Sequence, residues 1–301
     1  REQRAAQRYH TNKLKEQVGG KVSAMTVTKR DGAMELVSLD KITNRVSVLA
    51  TGLSIDPIIV AQKAIPGLYN EITTTEIDNY LAETAAALTV EHPDYSNLAA
   101  RIKANALHKE TPGFVIANKL LYEDGLLSKE YYNKVKDNTE IIESIIDYDQ
   151  DYNFDYFALT TLMRAYLLKY QGKVIERPQD LWMRVALTIA SDEFSYEKVK
   201  HTYSALSRGY YTHATPTLFN SGLKMQQLSS CFLIAMEDDS IEGIFNTIKD
   251  CALISKTAGG IGLHAHNIRA SGSRIKSTNG KSNGLIPFLK IFNETARSVD
   301  Q

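Results

Sequence analysis

Cysteine is scarce in this chain of 301 residues, which contains only Cys231 and Cys251. Two cysteines with no CxxC pair and no histidine cluster at metal spacing exclude a disulfide framework and a structural zinc site. The sequence also lacks an apolar run of membrane-spanning length and the apolar segment that a secretory signal needs. These absences predict a cytoplasmic protein of a reducing compartment that does not enter membranes and holds no metal with its own side chains.

A net charge of one sign is also missing, because 35 lysines and arginines balance 35 aspartates and glutamates. No global positive field marks the chain as a nucleic-acid binder, and we expect no nucleic-acid partner. The charges are nevertheless uneven. Residues 1–30 hold eight cations against two acids, residues 122–155 ten acids against three lysines, and residues 263–297 six cations against one acid. Two basic ends therefore flank an acidic middle.

Local signals after residue 24 predict alternating β and α structure. Residues 25–38 alternate around Asp31-Gly32, a pair that tolerates positive φ and is typical of a β-hairpin. Thr73 and Glu76 have the spacing of a capping box in front of an Ala-rich amphipathic helix. A hairpin followed by several helices is the expected start of the fold.

The pattern of apolar residues and glycines changes twice further along the chain. Apolar residues at helix spacing run from Leu159 to Tyr170, where Gly172 would stop the helix. After residue 212, strand-like runs, a helix from Asp239 and a glycine-rich loop predict the opening of an α/β domain. The expected organisation is a polar tail over 1–24, a hairpin-and-helix domain over 25–112, a helical domain over 113–211 and an incomplete α/β domain over 212–301.

Two basic clusters are candidates for phosphate binding. Lys29, Arg30 and Lys41 lie near the hairpin and the start of the next helix, where free amides also favour anions. The alternative is an ordinary solvated surface, which spacing alone favours. A second set is interleaved with glycines in a loop that matches neither Rossmann nor P-loop spacing; it comprises Lys256, Arg269, Arg274, Lys276 and Lys281.

Two further residues, Asp239 and Cys231, have two interpretations each. Asp239 could cap the following helix or bind a ligand. Cys231 lies in the apolar run LSSCFL beside two hydroxyls, either as a small core residue or as a reactive thiol. Cys251 lies among apolar neighbours in a predicted helix and is expected in the core.

Ordered blocks over almost the whole chain after residue 24 resemble the large, catalytic subunit of aerobic (class I) ribonucleotide reductase. Four segments resemble the regulatory ATP-cone of that family, namely VTKRDGAMELVSLDKI, TTTEIDNYLAETAA, HPDYSNLAARI and LHKET. Five further segments resemble the first part of the family's ten-stranded α/β barrel, namely THATPTLFNSG, QLSSCFL, DDSIEGIFNTIKDCALISKTAGGIG, IRASGS and TNGKSNGLIPFLKIFNETARSVDQ. The resemblance implies an α/β chain whose mostly helical N-terminal half, a cone and a helical domain, precedes the opening of a barrel.

The resemblance also implies an activity, the radical reduction of ribonucleoside diphosphates to deoxyribonucleoside diphosphates. In the family, the cysteine that matches Cys231 is a redox-active thiol. Together with a partner cysteine across the barrel, it supplies the reducing equivalents for replacing the ribose 2′-hydroxyl. Ser230 would bind the sugar, and Thr215 and Gly260 would meet the substrate diphosphate. Thr215 departs mildly from the family pattern, in which serine is frequent, and either hydroxyl can donate to phosphate.

Two effector sites follow from the same resemblance. A deoxynucleoside triphosphate that sets specificity at a dimer interface would meet Asp239, Ser240 and Ile241 through its sugar and base, and Lys256, Arg269 and Lys276 through its phosphates. In the cone, ATP or dATP, with magnesium, would meet seven positions, namely Lys29, Arg30, Glu35, Lys41, Thr74, Asp78 and Lys109.

The family's radical cysteine, its tyrosine relay and the second half of its barrel have no counterpart in these 301 residues. We therefore expect an N-terminal part of a longer polypeptide that is inactive as a reductase alone. The implied partners are a radical-generating small subunit, a second copy of the chain with larger dATP-induced assemblies, and thioredoxin or glutaredoxin. The alternative is a nucleotide-sensing regulatory protein without catalysis.

Overall fold

The computed structural model describes residues 25–190 and 194–299, so the predicted polar tail over 1–24 lies outside the described residues. By its contacts the chain divides into two compact units. The first unit extends to Asp124 and includes Val135–Met183; the second combines Gly125–Lys134 with the residues from Arg184 onward. The domain boundaries expected near residues 112 and 211 stay a prediction.

Helices cover more residues than strands in both units. In chain order they are α1 (Leu39–Leu49), α2 (Ile58–Ala64), α3 (Thr74–Ala87), α4 (Asp94–Glu110), α5 (Phe114–Glu123), α6 (Lys129–Asp137), α7 (Thr139–Ile145), α8 (Tyr156–Thr161), α9 (Pro178–Ile189), α10 (Tyr196–Ser207), α11 (Thr215–Asn220), α12 (Ile241–Ser255) and α13 (Ile286–Val299). The strands are β1 (Thr26–Thr28), β2 (Met34–Leu36), β3 (Ile72–Thr73), β4 (Lys169–Tyr170), β5 (Lys173–Val174), β6 (Cys231–Ala235), β7 (Gly260–His264), β8 (Arg274–Ile275) and β9 (Gly280–Lys281).

The first unit begins with the predicted hairpin, which is confirmed. β1 and β2 pair antiparallel, and Gly32 in their turn has φ of 84°, a conformation that glycine adopts without steric cost. β3 adds to the free side of β1 in parallel, giving the sheet order β2-β1-β3. The three short strands thus form one sheet, whose Val27 and Ile72 pack into the same core as the helices.

The helices of the first unit pack on one another around a core. The predicted capping box of α3 is present: the Thr73 hydroxyl accepts from the Glu76 amide at 3.1 Å, and the Glu76 carboxylate accepts from the Thr73 amide at 2.8 Å. The apolar faces of α1, α3 and α4 then meet in a cluster that includes the buried Val46, Leu81 and Leu98. Burial of these faces fixes the ends of α3 and α4 beside the hairpin.

One predicted helix is wrong at its end. The helix that begins at Tyr156 ends in a π-helical turn at Tyr166, and residues 169–174 form the β4-β5 hairpin instead of continuing the helix. Gln171 and Gly172 both have positive φ, 49° and 79°, which is the geometry of a tight hairpin turn. Gly172 therefore closes a turn and does not stop a helix.

The second unit contains the opening of an α/β barrel. β6 and β7 pair in parallel across the intervening α12, with Cys231 opposite Gly260. One face of this pair packs on α12 and α13 through apolar side chains such as Ile234, Ile261 and Phe292. Within the described residues the sheet is not closed into a barrel. No helix within residues 25–190 and 194–299 is long and apolar enough to cross a membrane.

Candidate functional site

A cavity of about 520 Å³ opens in the first unit beside the hairpin, α1, α3 and the end of α4. The hairpin brings cations to one side of it, and the first turn of α3 and the last turn of α4 bring polar groups to the other. All the residues that the sequence assigned to a cone nucleotide line this one cavity; they are Lys29, Arg30, Glu35, Lys41, Thr74, Asp78 and Lys109.

One carboxylate serves two lysines at the rim of the cavity. Glu35 Oε2 lies 3.1 Å from Lys29 Nζ and 2.9 Å from Lys41 Nζ. Hydrogen bonds from Lys41 and then from Lys29 lower the pKa of Glu35 below its usual value. Because one negative charge faces two positive charges, this edge of the cavity keeps an excess of positive charge.

A buried carboxylate organises the floor of the cavity. Asp78 is 1% exposed and accepts hydrogen bonds from Arg30, at 2.9 Å, and from Arg45. Arg30 is held further by Glu110 Oε1 at 2.9 Å and by the Thr74 hydroxyl at 3.5 Å. The two guanidinium groups are therefore fixed in place by acceptors from α3 and α4.

Arg45 lines the cavity and was missed by the sequence reasoning. Its guanidinium also donates to Asn105 Oδ1 at 2.8 Å, and desolvation by burial lowers its pKa. A signal was available, because Arg45 follows Lys41 by one helical turn of α1 and residues four apart share a helix face.

Lys109 is the cation of the cavity that lacks an acidic partner. No carboxylate within residues 25–190 and 194–299 forms an ion pair with it. Burial, together with the neighbouring charges of Arg45, Arg30 and Lys29, lowers the pKa of Lys109 to about 8. A bound anion would relieve that repulsion, so the arrangement suits a ligand with several negative charges.

A second cavity, of about 590 Å³, lies in the second unit at the start of α12. Five of the six residues assigned to the specificity effector line it; they are Asp239, Ser240, Ile241, Arg269 and Lys276. Lys256 does not line it, because it is the C-cap at the opposite end of α12. Its assignment stays a prediction.

The N-cap of α12 is Ser240, so the capping interpretation of Asp239 is wrong. Ser240 Oγ accepts from the Gly243 amide at 3.0 Å, whereas the Asp239 carboxylate accepts from Arg269 Nε. Arg269 also donates to the Asp239 carbonyl at 3.0 Å. The Asp239 carboxylate and the Arg269 guanidinium thus form an ion pair at this cavity.

The thiol of Cys231 is exposed at the start of β6, so its interpretation as a core residue is wrong. Ser230 Oγ lies 3.6 Å from the sulfur, and the Gly260 amide donates to the Ser230 carbonyl at 2.7 Å. A Cβ at position 260 would lie 3.3 Å from the Ser230 carbonyl oxygen, so the glycine allows the two backbones to approach closely at this point. Cys251, in contrast, is 4% exposed in α12, as expected.

Thr215 begins α11, a short helix joined to the segment that leads into β6. Thr217 Oγ1 donates to the Leu228 carbonyl at 3.0 Å, and Asn220 Nδ2 to the Gln227 carbonyl at 2.7 Å. These bonds hold the turn of Thr215 on the chain just before Ser230 and Cys231. The sequence reasoning missed these supporting residues, because a side-chain bond to a distant carbonyl leaves no pattern in the sequence.

Comparison with known proteins gives matches along the chain. Three family models match: "ATP cone domain" over residues 25–110, "Ribonucleotide reductase, all-alpha domain" over 152–226 and "Ribonucleotide reductase, barrel domain" over 229–301.

Individual relatives agree with these models. The chain is 49% identical to the ribonucleoside-diphosphate reductase large subunit of Arabidopsis thaliana, over 92% of this chain and 35% of the relative. It is 51% identical to large chain 2 of Saccharomyces cerevisiae, over 92% and 33%, and 50% identical to the large subunit of Dictyostelium discoideum, over 93% and 34%. The chain thus spans about a third of the length of these relatives.

Proposed function

We propose that this chain belongs to the ribonucleotide reductase large-subunit family and that it serves a ribonucleoside-diphosphate reductase. In this proposal the first unit senses nucleotides and the second carries part of the substrate site. The enzyme reduces ribonucleoside diphosphates to deoxyribonucleoside diphosphates by radical chemistry, under the control of ATP, dATP and deoxynucleoside triphosphates. The 301 residues alone are inactive as a reductase.

The cavity of the first unit binds ATP or dATP. The observation that carries this assignment is Lys109, which has no acidic partner among the described residues. The other four cations of the cavity are matched by four carboxylates, those of Asp31, Glu35, Asp78 and Glu110, so Lys109 is the excess positive charge. Charge-assisted bonds to phosphate oxygens are about twice as strong as neutral ones. A triphosphate both fits the charge of the cavity and removes the mutual repulsion of its cations.

Magnesium would enter with the nucleotide. Of the three carboxylates that line the cavity, Glu35 and Asp78 already bond to cations, and Asp31 accepts from the Ala33 amide at 3.0 Å. In the described part of the chain no group of three or more His, Cys, Asp and Glu could hold a metal ion. The phosphates of the nucleotide are therefore the ligands for the ion, and the protein contributes cations.

The test is calorimetric titration of ATP and dATP into the 301-residue chain, the Lys109→Met variant and a matched control. Lys119→Met removes an exposed lysine of α5 that faces Glu123. We expect Lys109→Met to weaken binding by about tenfold, because a hydrogen bond to a charged group contributes about 1.5–3 kcal/mol. Lys119→Met should bind as the unmodified chain does. Equal affinities for all three proteins would refute the cone assignment.

The second cavity takes the specificity effector, a deoxynucleoside triphosphate. Asp239, Ser240 and Ile241 contact its sugar and base, and Arg269, Lys276 and Lys256 its phosphates. The convergence of Asp239, Arg269 and Lys276 on one cavity supports this assignment. Because Lys256 lies at the far end of α12, its contact would be with a nucleotide held against a second copy of the chain in a homodimer.

Cys231 acts as one half of a redox dithiol. Together with a partner cysteine outside these 301 residues, it gives two electrons and two protons to the ribose, so that the 2′-hydroxyl leaves as water, a C–H bond replaces it, and a disulfide forms. Ser230 binds the sugar, and Thr215 and the Gly260 backbone bind the diphosphate. The exposed position of Cys231 beside Ser230 and Gly260 supports this role.

The wider assembly follows from the same proposal. A small subunit with a metal centre supplies the radical, thioredoxin or glutaredoxin restores the dithiol, and dATP drives the homodimer into larger inactive assemblies. The protein acts in the cytoplasm, with neither nucleic acid nor membrane as a partner.

A further inference from the structure

The last turn of α4 is held from outside the nucleotide cavity by Arg177. Its Nη2 donates to the carbonyls of His108, at 3.2 Å, and Thr111, at 2.9 Å, while its Nε donates to the Thr111 hydroxyl at 2.8 Å. A cation on the free carbonyls at a helix C-terminus is favoured by the helix dipole as well as by the hydrogen bonds. Arg177 therefore caps a helix that lies far from it in the sequence.

Arg177 is itself fixed by its surroundings. Its guanidinium lies 4.6 Å from the centre of the Tyr148 ring, and the Tyr148 hydroxyl donates to Asp180 Oδ1 at 2.7 Å. The buried Asp180 also accepts from the Arg177 amide at 2.9 Å. These contacts leave the guanidinium little freedom, so its hold on α4 is rigid.

A second contact holds the same turn through a side chain. His108 Nε2 lies 2.7 Å from Oδ2 of Asp151, whose side chain is fully buried. Gln179 Nε2 donates to the other oxygen of Asp151 at 3.0 Å. Burial raises the pKa of Asp151, and the bonds to His108 and Gln179 oppose that rise. The His108 ring is thus anchored to the helical region after α7.

The next two residues of the same turn face the cavity. Lys109 lines it, and Glu110 Oε1 accepts from Arg30 at 2.9 Å and from the Thr75 hydroxyl at 2.9 Å. Successive residues of a helix are about 100° apart around its axis, so neighbours point to different sides. One helical turn therefore contacts both the nucleotide cavity and the buried network of residues 148–180.

We propose that Arg177 and the His108–Asp151 pair are positioning residues for the nucleotide cavity, because they fix the turn that presents Lys109 and Glu110. The inference rests on the proposed function of the cavity as a triphosphate site. Binding free energies are reciprocal, so a ligand that pulls on Lys109 must also change the free energy of the Arg177 contacts. The turn is then the route by which nucleotide occupancy reaches residues 148–180.

The test is titration of the 301-residue chain with Mg-ATP at pH 8 in two buffers that differ in ionisation enthalpy, which yields both the affinity and the protons taken up. Lys109 is the reporter, with a pKa of about 8 in the free protein. If ATP keeps it charged, the unmodified chain should take up about half a proton for each ATP bound. The charged groups around the reporter are Lys29, Arg30, Asp31, Glu35, Lys41, Arg45, Asp78 and Glu110.

Arg177→Met retains the unbranched apolar stem of the side chain and removes the guanidinium donors. We expect its affinity for ATP to fall by fivefold or more and its proton uptake to fall toward zero. A loosened turn lets Lys109 reach water, and its pKa then returns toward the ordinary value. Arg164→Met makes the same change at an exposed arginine of the same unit and should change neither quantity. Thr111→Val removes the acceptor of Arg177 Nε and also the bond from the same hydroxyl to the Leu107 carbonyl at 2.7 Å. It should give a smaller change in the same direction, and it decides the matter if Arg177→Met does not fold.

The outcomes separate the two proposals. No ATP binding by the unmodified chain would refute the proposed function of the cavity. Binding that is normal in the unmodified chain, with unchanged affinity and proton uptake in Arg177→Met and Thr111→Val, would overturn the positioning role. A loss of binding stoichiometry alone, with affinity and proton uptake per bound ATP preserved, would also overturn it, because that is the result of a purely structural role.

Discussion

The cone cavity and the β6-β7 sheet represent two different ways of building a site. In the cone, a buried core that includes Val46 and Leu81 surrounds the floor of the cavity, and Asp78 is 1% exposed. In the sheet, one face packs on helices while the other, which carries Cys231, is open, and Leu233 on that face is 94% exposed. The proposed nucleotide site is therefore enclosed by its own unit, whereas the proposed thiol site has only one wall among the described residues.

This contrast has a physical basis in the way each region buries its polar groups. The buried Asp78 is held by Arg30 from the hairpin and Arg45 from α1, because a buried charge is tolerated only with compensation. Cys231 needs no such compensation, since a thiol on an exposed strand is solvated. Changes in the cavity should consequently affect both folding and binding, while changes on the open face should affect chemistry alone.

The largest expected effect is on catalysis at the open face. In a reductase that includes this sequence, Cys231→Ser should abolish turnover, because serine cannot form the disulfide that stores the two oxidising equivalents. ATP affinity at the cone should stay unchanged, since the substitution lies in the other unit. Turnover assays and ATP titration on the same preparation measure both. Retained turnover would contradict the proposed role of the thiol.

Leucine truncations compare the stability of the two regions directly. Leu81→Ala in the cone core, where the side chain is 2% exposed, should destabilise the first unit by about 3 kcal/mol, because it leaves a cavity. Leu233→Ala on the open face should cost less than about 0.5 kcal/mol. Hydrogen exchange of amides in α3 and in β6 measures the stability of the two units separately. Comparable losses of protection at both sites would mean that the open face is covered in solution.

A smaller effect is expected at the capping box of α3. Thr73→Ala removes the hydroxyl that accepts from the Glu76 amide and should cost about 1 kcal/mol, measured by thermal unfolding of the first unit. Thr84→Ala on the same helix is the control, because its hydroxyl bonds only to the Tyr80 carbonyl one turn earlier and alanine favours helix. A loss as large for Thr84→Ala would show that the cap has no special role.

The smallest effect is the pH dependence of ATP binding. Lys109 is charged below its pKa of about 8 and binds phosphate in that form, so affinity should be full below pH 8 and decline as the pH rises through it. Between pH 7 and 8.5 the expected loss is up to about fourfold, from the fraction of Lys109 that stays protonated. Titrations across this range should show the decline in the unmodified chain. They should show none of it in Lys109→Met.

Several local predictions from the sequence are confirmed because their causes are local. Asp31-Gly32 closes a hairpin through its own backbone preference, and the Thr73–Glu76 spacing produces a capping box within one helical turn. The end of the helix after Tyr156 was not predictable in this way. Its apolar spacing continues to Tyr170, and only the hairpin turn at Gln171 and Gly172 shows that the chain has left the helix.

The sequence by itself determined the β1-β2 hairpin, the capping box of α3 and the resemblance to a family, because turn, cap and motif signals act between near neighbours. Only the tertiary structure decided which groups are buried together. It placed Arg45 and Asp78 at the floor of the cavity, left Lys109 without an acid, and exposed Cys231. Burial and pKa depend on charges and packing from segments far apart in the chain, so they follow from the fold and not from spacing.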